Sequence, residues 1–80
     1  MIDCTTKEPL RVLIEGNAPP FIEVPFDQLE DLQRVLDVHD VAYTVDEDII
    51  SIDGGPEFVI VDLGRKGDAG AVQAILDSAQ

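Results

Sequence analysis

The stretch Phe58-Val59-Ile60-Val61-Asp62-Leu63-Gly64-Arg65-Lys66-Gly67-Asp68 decides the fold. Phe58 to Val61 is an unbroken run of aromatic and β-branched residues, and Leu63 carries it past Asp62, which is strand composition. A run without polar alternation predicts burial on both faces and so a central place in a sheet. Gly64 and Gly67 then interrupt the strand, and Asp68 is a favoured helix N-cap residue. Behind it Val72, Ile75, Leu76 and Ala79 recur at i, i+3, i+4 and i+7, which predicts an amphipathic helix from Ala69 to about Ala79.

Before this unit, Asp53-Gly54-Gly55-Pro56-Glu57 reads as a hairpin connection, because a Gly pair supplies positive φ without steric cost. Ile49–Ile52 and Val41–Val45 read as strands separated by the charged turn Asp46-Glu47-Asp48. Asp27 through Val38 reads as a helix with Leu29, Leu32, Val35 and Leu36 on one face. Asp27 and Glu30 have capping-box spacing, and Glu30 and Arg34 are an i,i+4 pair of favourable polarity. Leu10–Glu15 reads as a buried strand. Phe21–Val24 reads as a short strand, which Pro20 and Pro25 confine to a sheet edge. Residues 1–9 read as a loose lead ahead of one domain over 10–80, since so short a chain has room for a single core.

The order β-(β)-α-β-β-β-α predicts an α+β two-layer sandwich, with a mostly antiparallel sheet of four to five strands and two helices. Residues 10–45 form a β-α-β unit within it. In element order this resembles a truncated ferredoxin-like or ACT-like layout. No sequence motif ties the chain to a family, and a layout by itself implies no function.

Seventeen acidic residues face five basic ones in 80, a formal net charge of −12. Such a surface repels phosphate backbones and anionic lipid, so nucleic acid and membranes are disfavoured partners. Cys4 is the single cysteine, so no intramolecular disulfide forms. A lone thiol suits a reducing compartment, and the first residues lack the basic and apolar regions of a secretory leader. The setting expected is cytoplasmic.

Two stretches stand out as contact sites. Gly64, Arg65, Lys66 and Gly67 put two cations and flexible backbone before a helix start, a place able to hold a phosphate or carboxylate. The spacing is neither a P-loop nor a dinucleotide fingerprint, and Asp68 competes with an incoming anion. Residues 17–26 place three prolines and two phenylalanines in ten positions. There Pro20, Phe21, Ile22, Pro25 and Phe26 form a rigid extended segment suited to a protein contact.

The remaining chemistry is thin. Asp46, Glu47, Asp48 and Asp53 are oxygen ligands without an EF-hand spacing. His39 and Cys4 lack the further nitrogen or sulfur ligands of a metal site and a third group to orient a base. Glu15, Glu23 and Asp62 lie near strand ends, with nothing in the spacing to pair them for acid/base work. No cofactor, metal or catalytic residue is therefore expected. The function expected is non-enzymatic: inhibitor-like or immunity-like binding to a basic protein, with self-association through an open edge at Phe21–Val24 or Val41–Val45 as a variant. The alternative is a sensor of an anionic metabolite at Gly64–Gly70.

Overall fold

The computed structural model describes residues 1–4, 7–46, 49–51, 54–55, 57–65 and 67–79. Its spine is the antiparallel pair β2 (Phe21–Pro25) and β5 (Glu57–Asp62), in register from Phe21↔Asp62 to Pro25↔Phe58. β1 (Val12–Leu13) pairs with the far side of β2. β3 (Thr44–Val45) and β4 (Ile50–Ser51) both pair antiparallel with β5. Since β2 holds one edge of β5 over the same residues, both lie on its other edge, and the order is β1-β2-β5-β3 with β4 beside β3 along β5. Two helices, α1 (Leu29–Val38) and α2 (Ala69–Ser78), complete the small α+β fold in the expected element order.

The proline-flanked strand is a correction. β2 is central rather than at an edge, paired with β1 and β5. The prolines permit this because they stand at its two ends, where the missing N–H groups do not interrupt the ladder. Pro20 even contributes its carbonyl, which accepts from the Leu63 N–H at 2.9 Å. The strand expected over Leu10–Glu15 shortens to Val12–Leu13, and Ile14 is 62% exposed.

β5 is paired on both edges, as its position required, but it is not buried on both faces. Val59, Val61 and the following Leu63 are buried, whereas Phe58, Ile60 and Asp62 are only half-buried. Both helices cover the same face, so only one alternate set of side chains is sealed.

β3 and β4 are not a hairpin with each other. Both run along one edge of β5 in the same direction, and from Val45↔Val61 to Ile50↔Phe58 the edge advances five residues while β5 advances three. β3 and β4 thus lie one after the other along a single edge of β5, each only two residues long, and short edge strands discourage pairing with foreign strands. Glu47 and Asp48, expected as the tip of a turn, lie outside the described residues, as do Ile52, Asp53 and Pro56 of the following connection. The hairpin that does form is β4–β5, with Gly54 at φ +71° in its connection.

The strand directions define two interlocked units. β2 and β3 are parallel to each other with β5 between them and α1 linking them, which is a split β-α-β arrangement. β5 and β1 are likewise parallel with β2 between them. Here α2 follows β5, and its last turn meets the N-terminus, whose ammonium donates to the carbonyls of Leu76 and Ala79. The layout that looked truncated is therefore filled: the outer strand beside β2 comes from the other end of the chain.

Residues 1–4 and 7–9 make hydrogen bonds to one another and to the domain. Asp3 N–H donates to Glu8 C=O at 2.8 Å and Leu10 N–H to Met1 C=O at 2.9 Å, with a bridge between Ile2 and Pro9. Two glutamines hold this segment and the strand after it. Gln28 accepts from the Cys4 N–H and donates to the Ile2 carbonyl, both at 2.8 Å. Gln73 accepts from the Val12 N–H at 2.8 Å and donates to the Leu10 carbonyl at 3.1 Å. In both cases one side-chain amide spans the C=O of a residue and the N–H two positions on, the pattern a neighbouring strand would offer.

One core lies between sheet and helices: Leu10, Ile22, Val24, Leu32, Leu36, Val59, Val61, Leu63, Val72 and Leu76. Asp68 caps α2 as expected, its carboxylate accepting from Ala71 N–H at 3.0 Å. The capping box at Asp27 and Glu30 does not form, because a 3-10 turn at Phe26–Gln28 runs straight into α1 and places Asp27 inside it. Arg34 approaches Asp31 at 4.0 Å instead of Glu30, on an exposed surface where such a pair contributes little. α1 ends with Asp40 at φ +56°, Asp40 N–H donating to Asp37 C=O and Val41 N–H to Leu36 C=O. This is a Schellman ending with aspartate where glycine is usual. Beyond it Tyr43 donates to the Asp37 carboxylate at 3.0 Å. Partial burial, then that hydrogen bond and the nearby negative charge, hold its phenol above the ordinary value.

Candidate functional site

The helix-free face of the sheet carries the most unusual surface. Strand alternation puts Phe21 and Glu23 of β2, and Phe58, Ile60 and Asp62 of β5, opposite the core residues. Cross-strand register adds Leu13 beside Phe21, Thr44 beside Asp62 and Ile50 beside Phe58. Leu13, Phe21, Phe58 and Ile60 are half-buried, and Ile50 is 37% exposed. An apolar surface is thereby left without a covering layer. Glu23 sits at its centre, exposed, in the middle of a central strand and directly opposite Ile60.

A groove of about 280 Å³ opens from this face toward the N-terminal segment. Pro9, Leu10, Leu13, Pro25 and Phe58 supply its apolar surface, Asp3, Glu8, Glu23 and Glu57 its carboxylates, and Arg11 a cation. Neither Glu23 nor Glu57 forms an ion pair among the described residues. A wider depression of about 840 Å³ lies on the helix side, between Ile2, Gln28, Val35 and Asp77. There Arg34 stands beside Asp31, and no single charge or apolar surface selects an occupant.

The Gly64–Gly67 turn serves the chain itself. Gly64 takes φ +75°, and its N–H donates to the Asp62 carboxylate at 2.7 Å. Gly67 N–H donates to Gly64 C=O at 3.0 Å, and a Cβ at Gly67 would stand 2.7 Å from the Leu63 carbonyl oxygen. Both glycines are thus explained by the turn's own geometry, one by positive φ and the other by close approach. Asp68 already occupies the α2 N-terminus with a carboxylate. Arg65 is exposed, and Lys66 lies outside the described residues.

The proline-rich segment divides. Ile22 and Pro25 are buried, Pro20 and Phe21 are half-buried, and Phe26 is 46% exposed. Ile22 belongs to the core and has no surface to offer a partner. Phe21 lies on the helix-free face as part of a larger patch, and Phe26 reaches the surface beyond the end of β2. Of the two edges expected to be open, Phe21–Val24 is internal. The Val41–Val45 segment does supply an edge, at β3.

The other polar candidates are separated. Cys4 contacts Gln28 at one end of α1, and His39 closes the other end, about 15 Å away at the helical rise per residue. Glu15 is exposed in the turn between β1 and β2, away from Glu23. Asp62 shares the face with Glu23 but is diagonal to it in register, with its carboxylate on Gly64 N–H. Of the four acidic residues considered as a hard-cation site, only Asp46 is described. Among the described residues no group of three or more His, Cys, Asp or Glu side chains is placed to hold a metal ion, and no helix is long and apolar enough to cross a membrane.

Residue patterns pointed to Phe21 but missed Leu13, Phe58, Ile60 and the central place of Glu23. The signal for them was the helix count: two helices cover one face of a five-stranded sheet, so the alternate residues of its longest strands must face away. No family model, curated protein or solved structure matches the chain, so its function is argued from this geometry.

Proposed function

We propose that the chain is a non-enzymatic interaction module that docks a basic protein partner on the helix-free face of its sheet, in the manner of an inhibitor or immunity protein. The observation that carries this is Glu23, a carboxylate that among the described residues has no ion-pair partner and sits at the centre of an apolar face that neither helix covers. Such a face is complementary to an apolar patch with a cation in its middle. A second copy of the chain fits it poorly. Face-to-face pairing about a two-fold axis brings two Glu23 carboxylates toward each other, in addition to the repulsion between two chains of net charge −12. A cytoplasmic setting goes with this reading, since Cys4 is exposed and has no disulfide partner. An anion sensor at Gly64–Gly70 is supported less well, because the Asp62 carboxylate already takes the Gly64 N–H and the Asp68 carboxylate the Ala71 N–H at the start of α2.

The test is an amide-resolved NMR titration with an extended peptide of alternating apolar and cationic residues. Shifts are expected at Leu13, Phe21, Glu23, Phe58 and Ile60, with the outer faces of α1 and α2 unmoved, and binding should weaken as salt rises. Shifts confined to residues 64–70, or to the helices, would sink the docking assignment.

A further inference from the structure

We infer that the partner's central cation is an arginine, whose side chain lies in the groove beside Glu23. This rests on the docking face proposed above and specifies what that face recognises. The groove, at about 280 Å³, falls below the ~300–1,000 Å³ typical of small-molecule sites, so its size suits one inserted side chain better than a whole metabolite. Its surface is graded to match. Leu13, Pro25 and Phe58 offer an apolar bed for a methylene stem, and Glu23 and Glu57, with Asp3 and Glu8 on the N-terminal side, offer carboxylate oxygens for the charged head. Burying that stem without neutralising the head would be unfavourable; here the head meets Glu23 and Glu57, which form no ion pair among the described residues.

Arginine fits these surfaces better than lysine for two reasons. A planar guanidinium stacks on an aromatic ring, and Phe58 is the ring at this site. Its paired N–H groups also bond both oxygens of one carboxylate, whereas an ammonium acts as a point charge. Arg11 stands at the groove's edge and is exposed. Like-charge repulsion from it opposes an incoming cation, so Arg11→Ala should tighten binding rather than weaken it.

The experiment compares three versions of one extended amphipathic peptide, with arginine, lysine or citrulline at the centre, by calorimetry on the full chain. Citrulline keeps the shape of arginine and removes its charge. Arginine is expected to bind about tenfold more tightly than citrulline, with lysine between. Glu23→Gln should bring the arginine-to-citrulline ratio close to one, while Glu15→Gln, off the face, should leave it unchanged. Ile60→Thr, which keeps a β-branched residue, should weaken all three peptides alike. A ratio near one in the parent protein, or a ratio that survives Glu23→Gln, overturns the arginine anchor while leaving the face in place. Binding that is insensitive to Ile60→Thr, or absent for every peptide, overturns the face and the anchor together.

Discussion

The two faces of the central strands are made of alternating neighbours in the same short stretches, yet they have opposite fates. On the helix side Ile22, Val24, Val59 and Val61 are at most 2% exposed. One residue away in sequence, Phe21, Glu23, Phe58 and Ile60 look outward, half-buried or exposed. Phe58 and Ile60 are as apolar as the residues between them. What separates core from surface here is the supply of covering elements: two helices close one layer, and no third element remains for the other. Apolar character on the outer face is therefore surplus to what the fold needs, which is why it points to a partner.

The largest test of this contrast sets Leu36→Ala against Ile60→Ala. Leu36 is fully buried among sheet and helices, and its truncation should cost about 2–5 kcal/mol. Ile60 is half-buried on a face with no layer above it, and its truncation should cost below about 1.5 kcal/mol, because much of its surface is already in water. Urea midpoints for the two variants measure the difference directly. Equal losses would mean that the outer face is integral to the fold, and its role as a docking surface would have to be given up.

A smaller effect is expected at the sheet margin. Gln73→Ala removes the partners of both Val12 N–H and Leu10 C=O in a partly buried place, at a cost of about 1–3 kcal/mol. Gln28→Ala removes an equivalent clamp where water can substitute, so its cost should fall below about 1 kcal/mol. Faster hydrogen exchange at Val12 in the first variant, without a comparable change at Cys4 in the second, would sharpen the distinction between a clamp facing the core and one facing solvent. Similar losses would show that the N-terminal hairpin is held as firmly as β1.

The smallest change is a gain, and it lies within the helix layer. Asp40 holds a left-handed conformation at the end of α1, which costs a residue bearing a Cβ roughly 1 kcal/mol relative to glycine. Asp40→Gly should raise the melting temperature by a few degrees. No gain would mean that the Asp40 side chain itself stabilises the helix end.

Much of this fold could be read from local chemistry. The strand at Phe58, the cap at Asp68 and the two apolar helix stripes follow from composition and spacing within a few residues. The misreadings concern relations over longer distances. Pro20 and Pro25 argued for an edge strand, and only the pairing of β2 with β1 and β5 shows that both prolines sit where no hydrogen bond is needed. Val41–Val45 and Ile49–Ile52 read as two successive strands, and only the pairing shows that β3 and β4 share one edge of β5. The two glutamines could not have been singled out, since their role depends on which backbone lies opposite them. The candidate site was legible only in Phe21 and Pro25, because the rest of the face is defined by which side of the sheet the helices leave bare.

The bond from the first residue to the last turn of α2 also has a consequence for how the chain is made. The outer strand β1 is made well before Gln73, 61 positions after Val12, and before Leu76 and Ala79, which hold it and the segment ahead of it. β2 likewise waits for β5, more than thirty positions later. Until then an acidic chain with exposed apolar strands must stay unpaired, and its strong self-repulsion keeps neighbouring nascent copies apart during that interval. The negative charge proposed to steer a basic partner toward the finished protein thus also guards the unfinished one.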